Sequence, residues 1–243
     1  MNTDNEVKAG FGRYMGRFFN RLVADTKGLE EFKQRPLNKA IAYAPSRMID
    51  SAEELVLRWQ KEQGDDVKSA HNRLPIILIA ADRDFTPTGR SEHSFQVTDS
   101  PLTVMKNDPK QRAFKVRTAG ATHRAQVLIA SHDTASAKSI ASQMMLFIDA
   151  FENRRLTIDH TFSGIAEQWV AQVESADTPV MSIPTGIKNL VMLTVDLRIK
   201  TTFPMYEAPK VGEENDGKGD PANPNDLAGY LIYDGTSYEQ KFL

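Results

Sequence analysis

The stretch "NLVMLTVDLRIKTTFPMYEAPK", Asn189–Lys210, decides the fold class. Val191, Leu193, Val195, Leu197, Ile199 and Phe203 are apolar at odd positions, while Asp196, Arg198, Lys200 and Thr202 occupy even ones. A period of two over roughly fourteen residues is far longer than the usual ~5–6 residues of a strand. Unbroken, it reaches roughly 45 Å at about 3.3 Å per residue. It predicts a long amphipathic strand with one face on a core, a polar face at Asp196–Arg198–Lys200, and a break at Pro204.

Working outward, "RLPIILIAADRD" is apolar on both faces and predicts a central strand. "AFKVRT" and "THRAQVLIAS" are strand-like runs around "AG", which read as a hairpin or as one bent strand. "HDTASAKSIASQMMLFIDAF" predicts a helix capped by Asp133 or Thr134, with Ile140, Met144, Phe147, Ile148 and Phe151 on its buried stripe. "RRLTID" and "EQWVAQVES" predict two more strands, and Pro179–Gly186 a turn-rich connection. Toward the N-terminus, Asn38–Pro45 predicts a short strand. "SAEELVLRWQKEQG" predicts a helix with Ser51 as N-cap, Glu54 at the capping-box position and Gly64 as stop. Phe85–Pro109 is polar, holds three prolines and predicts a long loop.

Residues 11–31 predict an amphipathic helix. Phe11, Tyr14, Met15, Phe18, Phe19 and Leu22 follow helical spacing, and Arg13, Arg17 and Arg21 lie at steps of four on another face. One reading docks this helix on the core; the other sets Phe11, Tyr14, Arg17 and Phe18 against a neighbouring subunit. Strands and helices mix without regular alternation, which predicts an α+β fold. The expected architecture is a mixed, mainly antiparallel sheet with a long C-terminal strand, flanked by two or three helices. The domain division is 1–206 for the α+β body and 207–243 for an acidic, Gly- and Pro-containing linker and docking arm. That arm holds eight acidic residues and three lysines, too little apolar surface to order itself, yet ends in "LAGYLIYDGTSYEQKFL".

The chain has 243 residues, 40% hydrophobic and 26% charged, with a formal net charge of −2. This balance gives no electrostatic case for sequence-specific nucleic-acid binding or an anionic membrane. No cysteine is present, which removes disulfides, thiolate metal sites and a cysteine nucleophile. The polar first twenty residues predict no signal peptide, and no apolar run approaches the ~20 residues of a membrane span. The expectation is a protein of a soluble compartment.

Motifs of catalysis and cofactor binding are missing. His71, His93, His123, His132 and His160 share no metal-ligand spacing and read as surface or interface residues. The elbow G-x-S-x-G is absent. "HDTAS" groups His132, Asp133 and Ser136, but a helix N-terminus accounts for Asp133 and Ser136 through free backbone donors. Gly212, Gly217 and Lys218 match G-x-x-x-x-G-K by chance: Gly219 follows where Ser or Thr would hold magnesium, and carboxylates surround it. No catalytic residue, cofactor or metal is assigned.

Taken in order, "FGRYMGRFFNRLVADTKGL", "IAYAPSRMI", "RLPIILIAADRDFTP", "KVRTAGATHRAQVLIASHDTASAKSIASQMMLFI" and "LVMLTVDLRIKTTFPMYEAP" resemble a family. It is that of the tail terminator proteins of contractile-tailed bacteriophages, also called tail sheath stabiliser and completion proteins. The resemblance spans Phe11–Pro209 and lies in the order of segments, not in one motif. The segment "TGRSEHSFQVTDSPLTVM" and the acidic tail from Glu207 fall outside it. It implies a homohexameric ring that caps the tail tube, ends polymerisation and joins the tail to the head. The implied partners are the chain itself, the tail tube protein, the tail sheath protein and head-proximal neck or connector proteins, with the genome passing through the lumen. The implied location is the virion, at the head-proximal end of the tail, after assembly in the host cytoplasm; no catalytic residue or cofactor is implied. Candidate interface residues are Phe11, Tyr14, Arg17, Phe18, Asp196, Arg198, Lys200, Tyr206, Tyr230, Tyr233 and Phe242. The alternatives are another neck, collar or baseplate adaptor, and an enzyme with an unrecognised acid–base site.

Overall fold

The computed structural model describes residues 3–44, 51–62, 74–88, 99–104, 108–162, 165–174, 179–211 and 216–218. Two long strands form its axis. β4 (Ala113–Ser131) and β8 (Val191–Glu207) pair antiparallel without a break, from Ser131↔Val191 to Lys115↔Glu207. Seventeen paired residues extend about 54 Å at roughly 3.4 Å each.

Around this axis, β1 (Ile41–Tyr43), β2 (Ile76–Thr88), β5 (Arg155–Phe162) and β6 (Ile165–Val173) complete the sheet path β1-β2-β4-β8-β6-β5. β3 (Asp99–Val104) joins β4, and β7 (Val180–Ile183) joins β8. Among the described residues only β1 and β2 pair in parallel. The fold is α+β, with a mixed, mainly antiparallel sheet and the expected long C-terminal strand. The helices are α1 (Thr3–Arg21), α2 (Lys27–Lys33), α3 (Leu37–Ala40), α4 (Ala52–Glu62) and α5 (Thr134–Asp149).

Alternating side chains of the axis enter different layers. Val127, Ile129, Val195, Leu197 and Ile199 pack with Ile77 and Ile79 under α1, α2 and α5. Leu128, Ala130 and Met192 pack with Ile76, Leu78 and Ala80 under Val56 and Trp59 of α4. This part of β8 is therefore buried on both faces, and Thr194 and Thr202 of its expected polar face are buried too.

α1 contributes Val7, Phe11, Tyr14, Met15, Phe18, Phe19 and Leu22 to the core. Each such burial is worth about 1.5–3 kcal/mol. Its opposite side locks onto β5. Arg13 donates to Thr157 O at 2.9 Å and pairs with Asp159 at 2.9 Å. Arg17 donates to the Arg155 carbonyl, and Glu6 accepts from Thr161 N at 3.2 Å and meets His160 Nδ1 at 2.7 Å. Four helical residues rise about 6.0 Å and two strand residues about 6.7 Å, so arginines at steps of four meet alternate strand residues. Gly10 allows the approach, because a Cβ there would lie 2.9 Å from Thr157 O.

Several expectations need correction. The helix placed at 11–31 is two helices: α1 begins at Thr3, and Thr26 caps α2 by accepting from Leu29 N at 3.2 Å. Asn38–Pro45 is not all strand: Leu37–Ala40 form one helical turn before β1, and Pro45 lies outside the described residues. The "AG" segment makes no hairpin, since Gly120 pairs with Thr88 on one side and Thr202 on the other. The predicted loop 85–109 contains the end of β2, paired to β4 after a bulge, and β3. Pro179–Gly186 contains β7. Pro204 does not break β8: it pairs with Thr118, and β8's other side carries no β6 pair beyond Thr201, where a missing N–H costs no ladder bond. Phe151 is not in α5's buried stripe; the helix ends at Asp149 and Phe151 is 62% exposed. Gly64 lies outside the described residues.

Among the described residues the buried Tyr14 hydroxyl has no hydrogen-bond partner, and burial pushes its pKa up. An unsatisfied buried hydroxyl costs about 1–3 kcal/mol. Tyr14→Phe should therefore raise the free energy of unfolding, by about 1 kcal/mol, in urea titrations. A loss of stability would show that the hydroxyl has a partner in solution.

Candidate functional site

The sequence-predicted interface residues fall into separate places. Phe11, Tyr14 and Phe18 are at most 1% exposed and belong to this chain's own core, because α1 turns its aromatic stripe onto the sheet. Arg17 is exposed but spends its guanidinium on the Asn153 and Arg155 carbonyls and over the Tyr14 ring. Tyr206 is half-buried in a small cluster with Phe114 and Phe162, and its hydroxyl accepts from Trp169 Nε1 at 3.1 Å. Burial raises its pKa. Tyr230, Tyr233 and Phe242 lie outside the described residues.

Asp196, Arg198 and Lys200 do share one sheet face. Register puts Asp196 opposite Gln126, Arg198 opposite Arg124 and Lys200 opposite Thr122. The face continues from the Leu128–Ala130–Met192 layer, but the α4 cluster stops there. Asp196 accepts from Gln126 Nε2 at 2.8 Å and pairs with Arg124 at 2.8 Å; Lys200 pairs with Glu174 at 2.8 Å. Arg198 is exposed, has no carboxylate partner among the described residues, and stands directly across from Arg124. Like charges facing across a ladder destabilise it by a few tenths of a kcal/mol or more.

A second surface lies on the opposite layer. The end of α1 and the outer side of α5 bound a groove of about 250 Å³, lined by Phe18, Arg21, Leu22, Gln143, Leu146, Phe147 and Asn153. Gln143 fixes one wall by receiving Val23 N at 2.7 Å and donating to Val23 O at 2.9 Å. Leu146 is 71% and Val23 65% exposed. Sequence reading missed this groove, although a helical wheel places Leu146 off the stripe of Ile140, Met144, Phe147 and Ile148.

The histidines correct another expectation. His123 and His160 are buried, not surface residues, and both rings pack on Phe203 at 5.6 and 5.3 Å. His132 is half-exposed beside Asp133 at 3.4 Å, and His71 and His93 lie outside the described residues. Asp133 caps α5 by accepting from Ser136 N at 2.6 Å. Burial opposes its ionisation, but the hydrogen bonds from Ser136, the neighbouring His132 and the Ser131 hydroxyl together outweigh it and hold its carboxyl below the usual range. Among the described residues no three His, Asp or Glu side chains gather as a metal site, and no helix is long and apolar enough to cross a membrane. A scan against protein-family models and a search of curated proteins found no match to the chain.

The approach to β4 is set by Asp108. Its buried carboxylate accepts from Arg112 N and Nε at 2.9 Å, from Arg112 Nη2 at 3.1 Å and from Lys110 N at 3.3 Å. Gly217, at φ +83°, sits against this turn, where a Cβ would lie 2.9 Å from Arg112 Cγ. Burial alone would raise the Asp108 pKa; the bonds from Arg112 and Lys110 and the Arg112 charge together more than offset it and lower it. A depressed folded pKa contributes stability above the unfolded value of about 3.9 and loses it as pH falls through the folded value. Asp108→Asn should cost about 2–3 kcal/mol between pH 5 and 7, with the gap from wild type closing below pH 4. A gap independent of pH in denaturant titrations would remove the charge from the explanation.

Proposed function

We propose that this chain is a structural virion protein. It forms a ring on the head-proximal end of a contractile phage tail, caps the tube and sheath, ends their polymerisation, and offers the surface to which neck proteins join. The observation that carries the reading is the ordered resemblance of Phe11–Pro209 to the tail terminator family. The arrangement of side chains supports it in physical terms. The body spends its aromatic stripe on its own core, while leaving a polar sheet face whose Arg198 has no carboxylate partner among the described residues, and an apolar groove on the other layer.

A ring closed by rotation joins two different patches of neighbouring copies, head to tail. A terminator needs a third surface that matches the last tube ring and must not reproduce it on its far side. Such work runs on shape, main-chain pairing and charge and needs no cofactor.

Light scattering of the full-length protein after size exclusion should give a species of six times 27.2 kDa, alone or on tail tubes. A stable monomer that leaves tubes unbound would reject the reading. Arg198→Glu places a carboxylate across from Arg124, so monomer stability should hold or rise by up to about 1 kcal/mol. The same variant should weaken association. Reduced monomer stability with unchanged association would assign Arg198 to the protomer.

A further inference from the structure

We propose that Arg112 is a clasp that fastens the chain to the body at Gly217. The acidic extension is then rooted at Lys218, beside the start of β4, and not at Glu207 where β8 ends. The clasp belongs to the protomer and stands apart from the assembly reading above.

Arg112 is a fixed platform. Its Nε and Nη2 donate to the Asp108 carboxylate at 2.9 and 3.1 Å, and its N–H donates to the same group at 2.9 Å. The guanidinium also lies over the Phe114 ring at 5.0 Å. Asp108 is 4% exposed, and Phe114 is buried in the cluster with Phe162 and Tyr206. A planar fork bonded twice to a carboxylate and set on a ring has little rotamer freedom left. A contact made on its stem therefore orders no further side chain.

Gly217 suits that stem. At φ +83° it occupies the left-handed region, and a Cβ there would lie 2.9 Å from Arg112 Cγ, 3.2 Å from Arg112 Cδ and 3.3 Å from Lys110 Cβ. The main chain of Gly217 thus rests directly on the stems of Arg112 and Lys110. Asp216 and Gly217 are half-buried at the contact, and Lys218 N donates to Asp216 Oδ1 at 2.8 Å. Residues 208–216 are then closed between two points at one end of the axis: Glu207, paired with Lys115, and Gly217 on Arg112. Closing so short a loop costs little chain entropy, which one ordered contact can offset.

The clasp divides the acidic charge. Glu207, Glu213, Glu214 and Asp216 come before Gly217, while Asp220, Asp226, Asp234 and Glu239 follow it. The first four are tethered at both sides to the start of β4, and residues 219–243 alone make up the arm.

Trypsin reads the clasp, because it cuts after Lys218 only when the chain around that residue leaves the body. Cutting of the full-length protein at Lys218 is compared with cutting of a synthetic peptide of residues 211–225 bearing the same substitution. Fragments are read by mass, well below each variant's melting transition. The native protein should be protected about tenfold or more over its peptide. Gly217→Ala puts a Cβ against Arg112 in a conformation that L residues avoid, and should bring the two rates together. Asn tolerates positive φ, so Gly217→Asn tests the close approach alone and should also lose protection. Arg112→Ala, with Gly217 intact, should open the same bond. Native protein cut as fast as the peptide overturns the proposal, and so does protection that survives Gly217→Ala. Protection kept by Gly217→Asn or by Arg112→Ala overturns it too, since the hold would then not be the contact with Arg112.

Discussion

Everything in the fold depends on the uninterrupted pairing of β4 with β8. Seventeen residues held in one register fix the positions of β2, β3, β6 and β7, each of which pairs with one of these two strands. A slip of one residue would exchange the two layers, sending Val195, Leu197 and Ile199 to α4 and Met192 to α1 and α5. The slip would also carry Asp196, Arg198 and Lys200 into the apolar layer under α1, α2 and α5, which makes it costly. The same length carries the axis past the helices, where Phe85, Phe203 and Tyr206 close the end in place of a helical layer.

A long sheet brings the hazard of open edges. At β5 the chain answers with α1. Outward carbonyls of Arg155 and Thr157 receive Arg17 and Arg13, and Thr161 N donates to Glu6. Arginines that look like an exposed, sticky row in the sequence are thus main-chain partners of an edge strand. Their charge stays at the surface while their donors are used. α1 side chains thus occupy main-chain groups of β5 that an added strand would need.

The sequence made legible what depends on period alone. Val191–Phe203 announced a long strand, "RLPIILIAADRD" a buried one, and Asp133 or Thr134 the start of α5, which Asp133 caps. Non-local pairing was hidden. Nothing near Ala119–Gly120 says that both lie mid-ladder, because the partners that straighten the chain there are Thr88 and Phe203–Thr202, far away in sequence. Pro204 and Pro87 were misleading for the same reason: a proline ends a strand only where its missing N–H would have been used. The candidate surfaces were half readable. The polar face at Asp196, Arg198 and Lys200 follows from alternation, but its like-charge partner Arg124 comes from register. Phe11, Tyr14 and Phe18 were legible as a stripe, and nothing in a stripe says whose core it enters. The Glu6–His160 contact joins residues 154 apart and leaves no local trace.

Charge places a further constraint on how copies can meet. A head-to-tail contact needs two patches that complement each other and differ. The sheet face around Arg124, Arg198 and Lys200 and the corner around Arg17, Arg21 and Arg155 are both net basic, so they repel when juxtaposed without an acidic layer between them. Residues 207–243 carry the compensating charge, in a chain whose total is near zero. This separation of a basic body from an acidic extension would oppose association of bodies through these two faces alone. It also makes such association sensitive to ionic strength, because exposed charges more than about 8–10 Å apart are screened at physiological salt.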